Sequence, residues 1–222
     1  MFDSSSSTES EDFGDQNTIK VVLLGSTGVG KTAIVDRFVK NVFNQNTKVT
    51  VGSAFNTKPI KIGKQEFHLN IWDTAGQEKF HSLAKMYYRD AVAAIICFDI
   101  TKQESFLECS RWRSELQESG SPDILLTIVG NKTDLEGSRT VKLEAAEKWA
   151  QNNDCVYLET SAKSGYNIQE IFDQICVRYA NNNQSWENSE KKIKRGFELN
   201  EKNNLSPNTN QLRSTNEKDG CC

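Results

Sequence analysis

The stretch at residues 25–32, GSTGVGKT, constrains this chain more than any other. It fits the pattern G-x-x-x-x-G-K-[ST] and lies between an apolar, β-branched run at 19–24 and a segment at 33–39 with apolar residues at helical spacing. Glycines let successive backbone N–H groups line a concave anion nest, and the following helix adds its unpaired amides. The context therefore predicts a phosphate-binding loop rather than a glycine-rich turn that binds nothing.

The rest of the pattern predicts an α/β fold. Residues 55–62 and 64–72 form an expected antiparallel hairpin that turns at Gly63, because apolar and polar residues alternate in its second arm. Further buried strands are expected at 92–98, 124–129 and 156–158, and amphipathic helices at 105–118, 142–151 and 168–179. Such alternation is typical of a three-layer sandwich, here a P-loop NTPase with a mostly parallel six-stranded sheet and one antiparallel edge pairing.

Composition separates one folded domain from two tails. Residues 1–17 are serine-rich and acidic and lack the apolar core of a signal peptide, so we expect a disordered extension. After residue 180 the chain becomes asparagine-rich, which predicts a domain at 18–180 and a flexible tail at 181–222. The longest apolar run, 91–98, is too short to span a bilayer, and the net charge of −3 does not indicate a nucleic-acid partner.

The six cysteines fall into two groups. Four lie in apolar or helical stretches without metal-ligand spacing, which predicts free core thiols in a reducing, cytosolic setting. These are Cys97, Cys109, Cys155 and Cys176. The other two, Cys221 and Cys222, end the chain, and no residues follow them as a CaaX motif would require.

Three further segments bear on which nucleotide the loop would bind. Asp73 follows a strand and can hold Mg²⁺ through a water, Gly76 leaves its amide accessible, and Gln77 can orient an attacking water. A polar loop with a solvated acid is the alternative. Asp134, in the sequence NKTD at 131–134, can accept both adjacent donors of guanine, a pair that adenine lacks. The third segment, SAK at 161–163, again follows a strand and is weak evidence alone.

Together these segments resemble the small GTPases of the Ras superfamily, and more narrowly the Rab family. The Rab-like stretches are VGSAF at 51–55, IWDTAGQE at 71–78, YYRDA at 87–91 and FDIT at 98–101. The stretches FHSLA at 80–84, MYY at 86–88 and SPDI at 121–124 resemble the early-endosomal branch. The resemblance runs from about residue 19 to residue 179.

The resemblance implies that the chain binds GTP or GDP with Mg²⁺. Thr50 would sense the γ-phosphate, Phe43 would lie against guanine, and Ala162 would offer its amide to the guanine oxygen. Catalysis would fall to Gln77 and Lys31, and Mg²⁺ would be held by Thr32, Thr50 and Asp73. The full set of implied nucleotide contacts is Gly25, Ser26, Thr27, Gly28, Val29, Gly30, Lys31, Thr32, Ala33, Phe43, Thr50, Gly76, Asn131, Lys132, Asp134, Ser161, Ala162 and Lys163.

It also implies a membrane-anchored switch of endocytic traffic, a GTPase that is slow without a GAP. Phe55, Trp72 and Tyr87 would form the effector surface, unless they are ordinary half-exposed aromatics. Cys221 and Cys222 would carry two prenyl groups. The monomer would cycle between the cytosol and the cytosolic face of endosomal or vesicle membranes, with a GEF, a GAP, a GDI or escort protein and GTP-dependent effectors as partners.

Several alternatives stay open at this stage. The chain could serve another trafficking step, or be a GTP-binding scaffold that hardly hydrolyses. A P-loop kinase is disfavoured by the sequence NKTD at 131–134 and by the absence of a recognisable lid. Two residues depart from the family pattern. Thr27 stands where the Ras branch has glycine, and its branched side chain would crowd the γ-phosphate and slow hydrolysis. Asp90 replaces a usual glycine, and the sequence assigns it no consequence.

Overall fold

The computed structural model describes residues 17–46, 48–76, 87–119, 121 and 123–183. Its strands are β1 (Thr18–Leu24), β2 (Ser53–Ile62), β3 (Gln65–Thr74), β4 (Ala93–Asp99), β5 (Leu125–Asn131) and β6 (Val156–Glu159). Its helices are α1 (Lys31–Lys40), α2 (Gln103–Ser119), α3 (Leu143–Asn152) and α4 (168–183), with a 3₁₀ segment at Thr133–Ser138.

The six strands form one sheet in the order β2-β3-β1-β4-β5-β6. The β2–β3 pair is antiparallel and every other pair is parallel. Gly63 turns the hairpin with a φ of 59°, a conformation that glycine adopts without a steric penalty. The predicted fold class is therefore confirmed. Because β1 has β3 on one side and β4 on the other, the order reverses there, and such switch points form ligand crevices.

Helices cover both faces of the sheet because the strand residues alternate in direction. On one face, Val22 and Leu24 of β1 belong to a buried cluster with Trp112 of α2 and Ala146 of α3. Helices α1 and α4 meet on the opposite face, where the Phe38 and Phe172 rings stack with centroids 3.7 Å apart. Three of the predicted core thiols are buried and Cys155 is half-buried.

Two strand ends differ from the predicted positions. Asp73 and Asn131 were expected just beyond strands, but Asp73 lies within β3 and Asn131 is the last residue of β5. Asp73 is paired on both sides, with Leu23 of β1 and Ala54 of β2, so backbone hydrogen bonding extends the strand past the apolar stretch. Both polar side chains are thereby fixed by the sheet itself.

The described residues as far as Tyr179 form one compact unit, and residues 180–183 belong to a second. The predicted extension, except Asn17, and the tail beyond residue 183 lie outside the described residues, as do the terminal cysteines. Their roles and the exact domain boundaries stay predictions. None of the helices within the described ranges is long and apolar enough to cross a membrane.

Candidate functional site

The glycine-rich loop joins β1 to α1 at the carboxyl end of the central strand. Its three glycines have positive φ angles, 132° at Gly25, 82° at Gly28 and 102° at Gly30. A Cβ at Gly25 would lie 2.2 Å from the carbonyl oxygen of Cys97, so no side chain fits there. Gly30 is the N-cap of α1 and brings the free amides of that helix to the loop. The loop thus has the glycine conformations and the helix N-terminus that a phosphate-binding nest requires.

Lys31 is buried at the base of this loop and is 5% exposed. Its ammonium donates to the carbonyl oxygens of Gly25 at 2.7 Å and Ser26 at 3.1 Å. Burial lowers the pKa of Lys31, and the neighbouring Cys97 and Asp73 partly oppose this effect. A buried cation whose hydrogen bonds among the described residues go to loop carbonyls is well placed to exchange them for the oxygens of an anion.

Three oxygen-bearing side chains from three segments meet beside Lys31. The Thr32 hydroxyl donates to Asp73 Oδ2 at 2.6 Å, and the Thr32 and Thr50 hydroxyl oxygens lie 2.7 Å apart. Burial raises the pKa of Asp73, while the hydrogen bond from Thr32 and the nearby Lys31 lower it. Asp73 Oδ1 is buried without a hydrogen-bond partner among the described residues. Mg²⁺ prefers oxygen ligands, and a cluster of three oxygen-bearing side chains in which Asp73 Oδ1 has no hydrogen bond from the described residues is a suitable site for it.

Gly76 packs directly on the phosphate loop. A Cβ at this position would lie 2.5 Å from the backbone nitrogen of Thr27 and 2.7 Å from the Lys31 ammonium. Only glycine permits this approach, which keeps the Gly76 backbone within reach of a ligand in the loop. Gln77, its neighbour, is outside the described residues, so its predicted role as the water-orienting group stays a prediction.

Asn131 connects the phosphate loop to the segment at 161–163. Its amide nitrogen donates to the carbonyl of Val29 at 2.9 Å, and its Oδ1 accepts from the Ala162 N–H at 3.1 Å. The predicted bond from the Ala162 amide to guanine would therefore have to share or replace this contact. Lys132 donates to the Gly28 carbonyl at 2.8 Å. Both residues thus support the loop rather than only flanking a base.

Asp134 faces the segment at 161–163. Its Oδ1 accepts a hydrogen bond from the Ser161 hydroxyl at 2.6 Å, and its Oδ2 lies 3.8 Å from the Lys163 ammonium. The Asp134 side chain is 20% exposed and borders the cavity described next. The hydrogen bond from Ser161 thus holds one carboxylate oxygen at the border of the cavity.

A cavity of about 400 Å³ lies between most of these groups, although Asp73 does not line it. Its size suits a single small ligand. Fourteen of the predicted nucleotide contacts line this cavity: Thr27, Gly28, Gly30, Lys31, Thr32, Ala33, Phe43, Thr50, Gly76, Asn131, Lys132, Asp134, Ala162 and Lys163. Gly25, Ser26, Val29 and Ser161 line no part of it: Gly25 and Ser26 bind Lys31, Val29 binds Asn131, and Ser161 binds Asp134. Phe43 is 36% exposed at its edge.

Sequence reasoning missed two charged residues of this region. Asp99, at the end of β4, is 1% exposed and forms an ion pair with Lys132 at 2.7 Å. Arg37 of α1 donates to the backbone carbonyls of Ala162 and Lys163 at 2.9 and 2.8 Å. Asp99 ends a buried strand next to the strand that carries Asn131, a signal that was available; nothing in the sequence indicated Arg37.

The three predicted effector aromatics lie side by side on the β2–β3 face. The Phe55 and Trp72 ring centroids are 5.1 Å apart, and those of Trp72 and Tyr87 are 5.6 Å apart. Lys20 lies 5.5 Å above the Trp72 ring, and Phe55 is 53% exposed. They form one continuous aromatic surface rather than three separate half-exposed residues.

Comparison with known proteins decides what this arrangement is. A family model described as the Ras family matches residues 20–181. This chain belongs to the Ras family. It is 49% identical to the Ras-related protein Rab-31 of Homo sapiens over 157 residues, which are 71% of this chain and 80% of that protein.

Two plant proteins show similar likeness. The chain is 46% identical to the Ras-related protein RABF2a of Arabidopsis thaliana, over 74% of this chain and 83% of that protein. It is 45% identical to the Ras-related protein Rab5 of Nicotiana tabacum, over 72% and 80%. The resemblance to the early-endosomal Rab branch is thus confirmed. The protein is a Rab-type GTPase, a GTP-binding switch of endosomal traffic.

Proposed function

We propose that the cavity binds GTP and GDP through the residues described above, and that Thr32, Thr50 and Asp73 hold Mg²⁺. The observation that carries this proposal is the meeting of the Thr32, Thr50 and Asp73 oxygens beside Lys31. Thr50 comes from the exposed segment between α1 and β2, so its contact at the metal position couples that segment to the ligand. Mg²⁺, when bound, offsets charge on the β- and γ-phosphate oxygens.

The phosphate side of the site works by positioning and charge. Lys31 would leave the carbonyls of Gly25 and Ser26 and donate to the β- and γ-phosphates, while the loop amides hold the remaining oxygens. Gly76 would donate its amide to the γ-phosphate, and Gln77 would orient the attacking water. Loss of the γ-phosphate removes the partners of Thr50 and Gly76, and the two segments that carry them relax.

The base side of the site selects guanine. Asp134, anchored by Ser161, would accept the two adjacent donors of guanine with its carboxylate. Phe43 would cover the ring from the segment that follows α1. Adenine does not present these two adjacent donors and would leave the carboxylate without them, which is the kind of mismatch that gives strong discrimination.

Replacing the proposed water-orienting residue tests the hydrolytic role. Gln77→Leu should lower single-turnover hydrolysis of bound GTP by about 10-fold or more while nucleotide affinity stays nearly unchanged, since Gln77 acts only on the water. The measurement is phosphate release from preloaded protein, with Glu108→Gln, on the distant surface of α2, as the control. Unchanged hydrolysis in Gln77→Leu would remove Gln77 from the mechanism.

Base selection has a separate test. Asp134→Asn should weaken GDP binding and shift preference to xanthine nucleotide, because the new amide presents a donor where guanine also presents one. Competition between GDP and xanthosine diphosphate measures the shift. A variant that keeps its guanine preference would overturn the assignment of Asp134.

The alternative function is a GTP-binding scaffold, which would use the same nucleotide site but hydrolyse GTP very slowly. Thr27 lines the cavity, and its backbone nitrogen lies close to Gly76. A branched side chain at this position would crowd the γ-phosphate. A protein that hydrolysed its bound GTP very slowly would act as a GTP-bound scaffold rather than as a switch. Single-turnover hydrolysis by wild type and Thr27→Gly separates the two: a large gain in the glycine variant favours the scaffold.

We also propose membrane attachment through two prenyl groups on Cys221 and Cys222, with exchange factor, GAP, GDI or escort protein and effectors as partners. A protein with one lipid chain binds membranes only marginally, whereas two lipid chains anchor it stably. The aromatic surface of Phe55, Trp72 and Tyr87 supports effector binding. The intact mass of protein from native cells tests the anchor, and a mass without two prenyl additions would contradict it.

A further inference from the structure

We propose that Arg37 is a positioning residue of the guanine site, which holds the two sides of the base cavity together and so sets the lifetime of the bound nucleotide. This inference rests on the proposed guanine site. It adds a residue to which the sequence assigned no role.

On one side, Arg37 fixes two successive carbonyls of the segment that follows β6. Its Nε donates to the carbonyl of Ala162 at 2.9 Å, and its Nη2 donates to that of Lys163 at 2.8 Å. These acceptors are 125 and 126 residues away in the chain. A planar guanidinium binds both carbonyls at once, which fixes the direction of the peptide groups between them.

On the other side, the same guanidinium holds the end of α1. Nη1 donates to the backbone carbonyl of Asn41 at 3.2 Å and to its side-chain Oδ1 at 3.3 Å. Asn41 caps α1 in a left-handed conformation with a φ of 55°. Phe43, which lines the cavity, is two residues further on. Arg37 therefore connects the segment that carries Phe43 to the segment that carries Ala162.

Helix α1 links Arg37 to the phosphate site, so the contacts of Arg37 can affect how long the ligand stays bound. Helix α1 begins at Lys31 in the phosphate site, and Arg37 projects from its second turn to the base site. Asn131 makes the other link between the two sites, from the Val29 carbonyl to the Ala162 amide. Without Arg37, the segment at 162–163 would keep the Asn131 link to the loop but lose the two guanidinium contacts, and the base cavity would open more often.

The test compares wild type with Arg37→Ala and Arg37→Lys. The lysine variant keeps the charge but replaces three donor nitrogens with one. Release of labelled GDP should accelerate about 10-fold in Arg37→Ala and by a smaller factor in Arg37→Lys, as expected for lost hydrogen bonds from a charged donor. Arg178→Ala is the matched control, because Arg178 also donates to a backbone carbonyl, that of Leu126 at 2.9 Å, away from the cavity.

A second readout separates positioning from general weakening of the fold. The preference for GDP over 6-thioguanosine diphosphate, which keeps both donors that face Asp134 and replaces the guanine oxygen with sulfur, reports on the segment at 162–163. The ratio of the two affinities should fall about 10-fold in Arg37→Ala and stay unchanged in Arg178→Ala. Should Arg37→Ala fail to fold, Arg37→Lys and Asn41→Gly carry the same comparison, because glycine removes one acceptor of Nη1 and still tolerates the left-handed conformation.

The outcomes separate this inference from the proposed site. A GDP release rate and a base preference within about twofold of wild type in the Arg37 variants would overturn the inference alone. An equal change in Arg178→Ala would also overturn it, because the effect would then be structural. A wild-type protein without preference for the guanine oxygen, or an Asp134→Asn variant that keeps its preference for guanine over xanthine nucleotide, would instead overturn the proposed site.

Discussion

Asp90 adopts a left-handed backbone conformation, with a φ of 58°, in the turn that precedes β4. The family pattern has glycine there, and the structure supplies the reason, since glycine adopts this conformation without a steric cost. Aspartate is one of the few other residues that tolerate it. Its neighbour Arg89 lies 3.8 Å from the carboxylate, but both side chains are more than 80% exposed, so the pair contributes little.

Substitutions at position 90 should therefore follow backbone preference rather than charge. Asp90→Val is expected to lower the free energy of unfolding by about 1–2 kcal/mol, because a β-branched residue is strained in this conformation. Asp90→Gly and Asp90→Asn should stay within about 0.5 kcal/mol of wild type. Urea denaturation of the three variants measures this order. A valine variant as stable as wild type would mean that the turn relaxes freely.

At the scale of elements, the ends of β4 and β5 are joined by the ion pair of Asp99 and Lys132. Burial raises the pKa of Asp99, but the neighbouring Lys132 ammonium and the hydrogen bonds from Thr101 outweigh this effect, and the net pKa is lowered. Because the pKa is lower in the folded protein, ionised Asp99 stabilises the fold above about pH 4, its value in the unfolded chain. That contribution disappears as the pH falls through the lowered folded value.

Asp99→Asn should thus lower the free energy of unfolding at pH 7 by about 1–3 kcal/mol. The difference from wild type should shrink only as the pH falls below about 4. Denaturation of the GDP-bound protein at several pH values between 3 and 7 gives the profile. Glu108→Gln, which removes an exposed partner of Arg111, is the control and should change stability by less than about 1 kcal/mol. A loss that is independent of pH would show that Asp99 acts by packing.

For the whole molecule, the ligand should account for a large part of the stability. Burial lowers the pKa of Lys31 and raises that of Asp73, so both shifts favour the uncharged side chain. Each charge would therefore gain from a further partner of opposite sign. Nucleotide and Mg²⁺ would supply those partners. Ligand that binds only the folded state stabilises it in proportion to the logarithm of its concentration over the dissociation constant.

Removal of Mg²⁺ and GDP should therefore lower Tm strongly. GDP at about 1,000 times its dissociation constant adds about 4 kcal/mol, or about 8–16 °C for a chain of this size. Thermal unfolding with GDP, in Mg²⁺ and then in EDTA, measures the effect, and ADP serves as the control nucleotide. If ADP raised Tm as much as GDP, the proposed guanine selectivity would be wrong.

How far the sequence predicted the molecule depended on the range of the interaction. The hairpin turn at Gly63 and the order of strands and helices follow from periodicities within a few residues, and these predictions are confirmed. The ends of β3 and β5 were misplaced by a few residues because neighbouring strands extend them. The structure also brought Asp99 to Lys132 through the pairing of β4 with β5, a contact that no local pattern encodes.

By itself, the sequence determined the α/β fold and the phosphate loop at 25–32, because a glycine's backbone freedom and a helix's free amides are local properties. Only the tertiary structure decided that Thr50 lies 2.7 Å from Thr32, 18 residues away, and that Arg37 binds Ala162, 125 residues away. Such contacts depend on how the sheet brings loop ends together at the carboxyl ends of its strands. The residues that hold the proposed site in shape therefore emerged only from the folded chain.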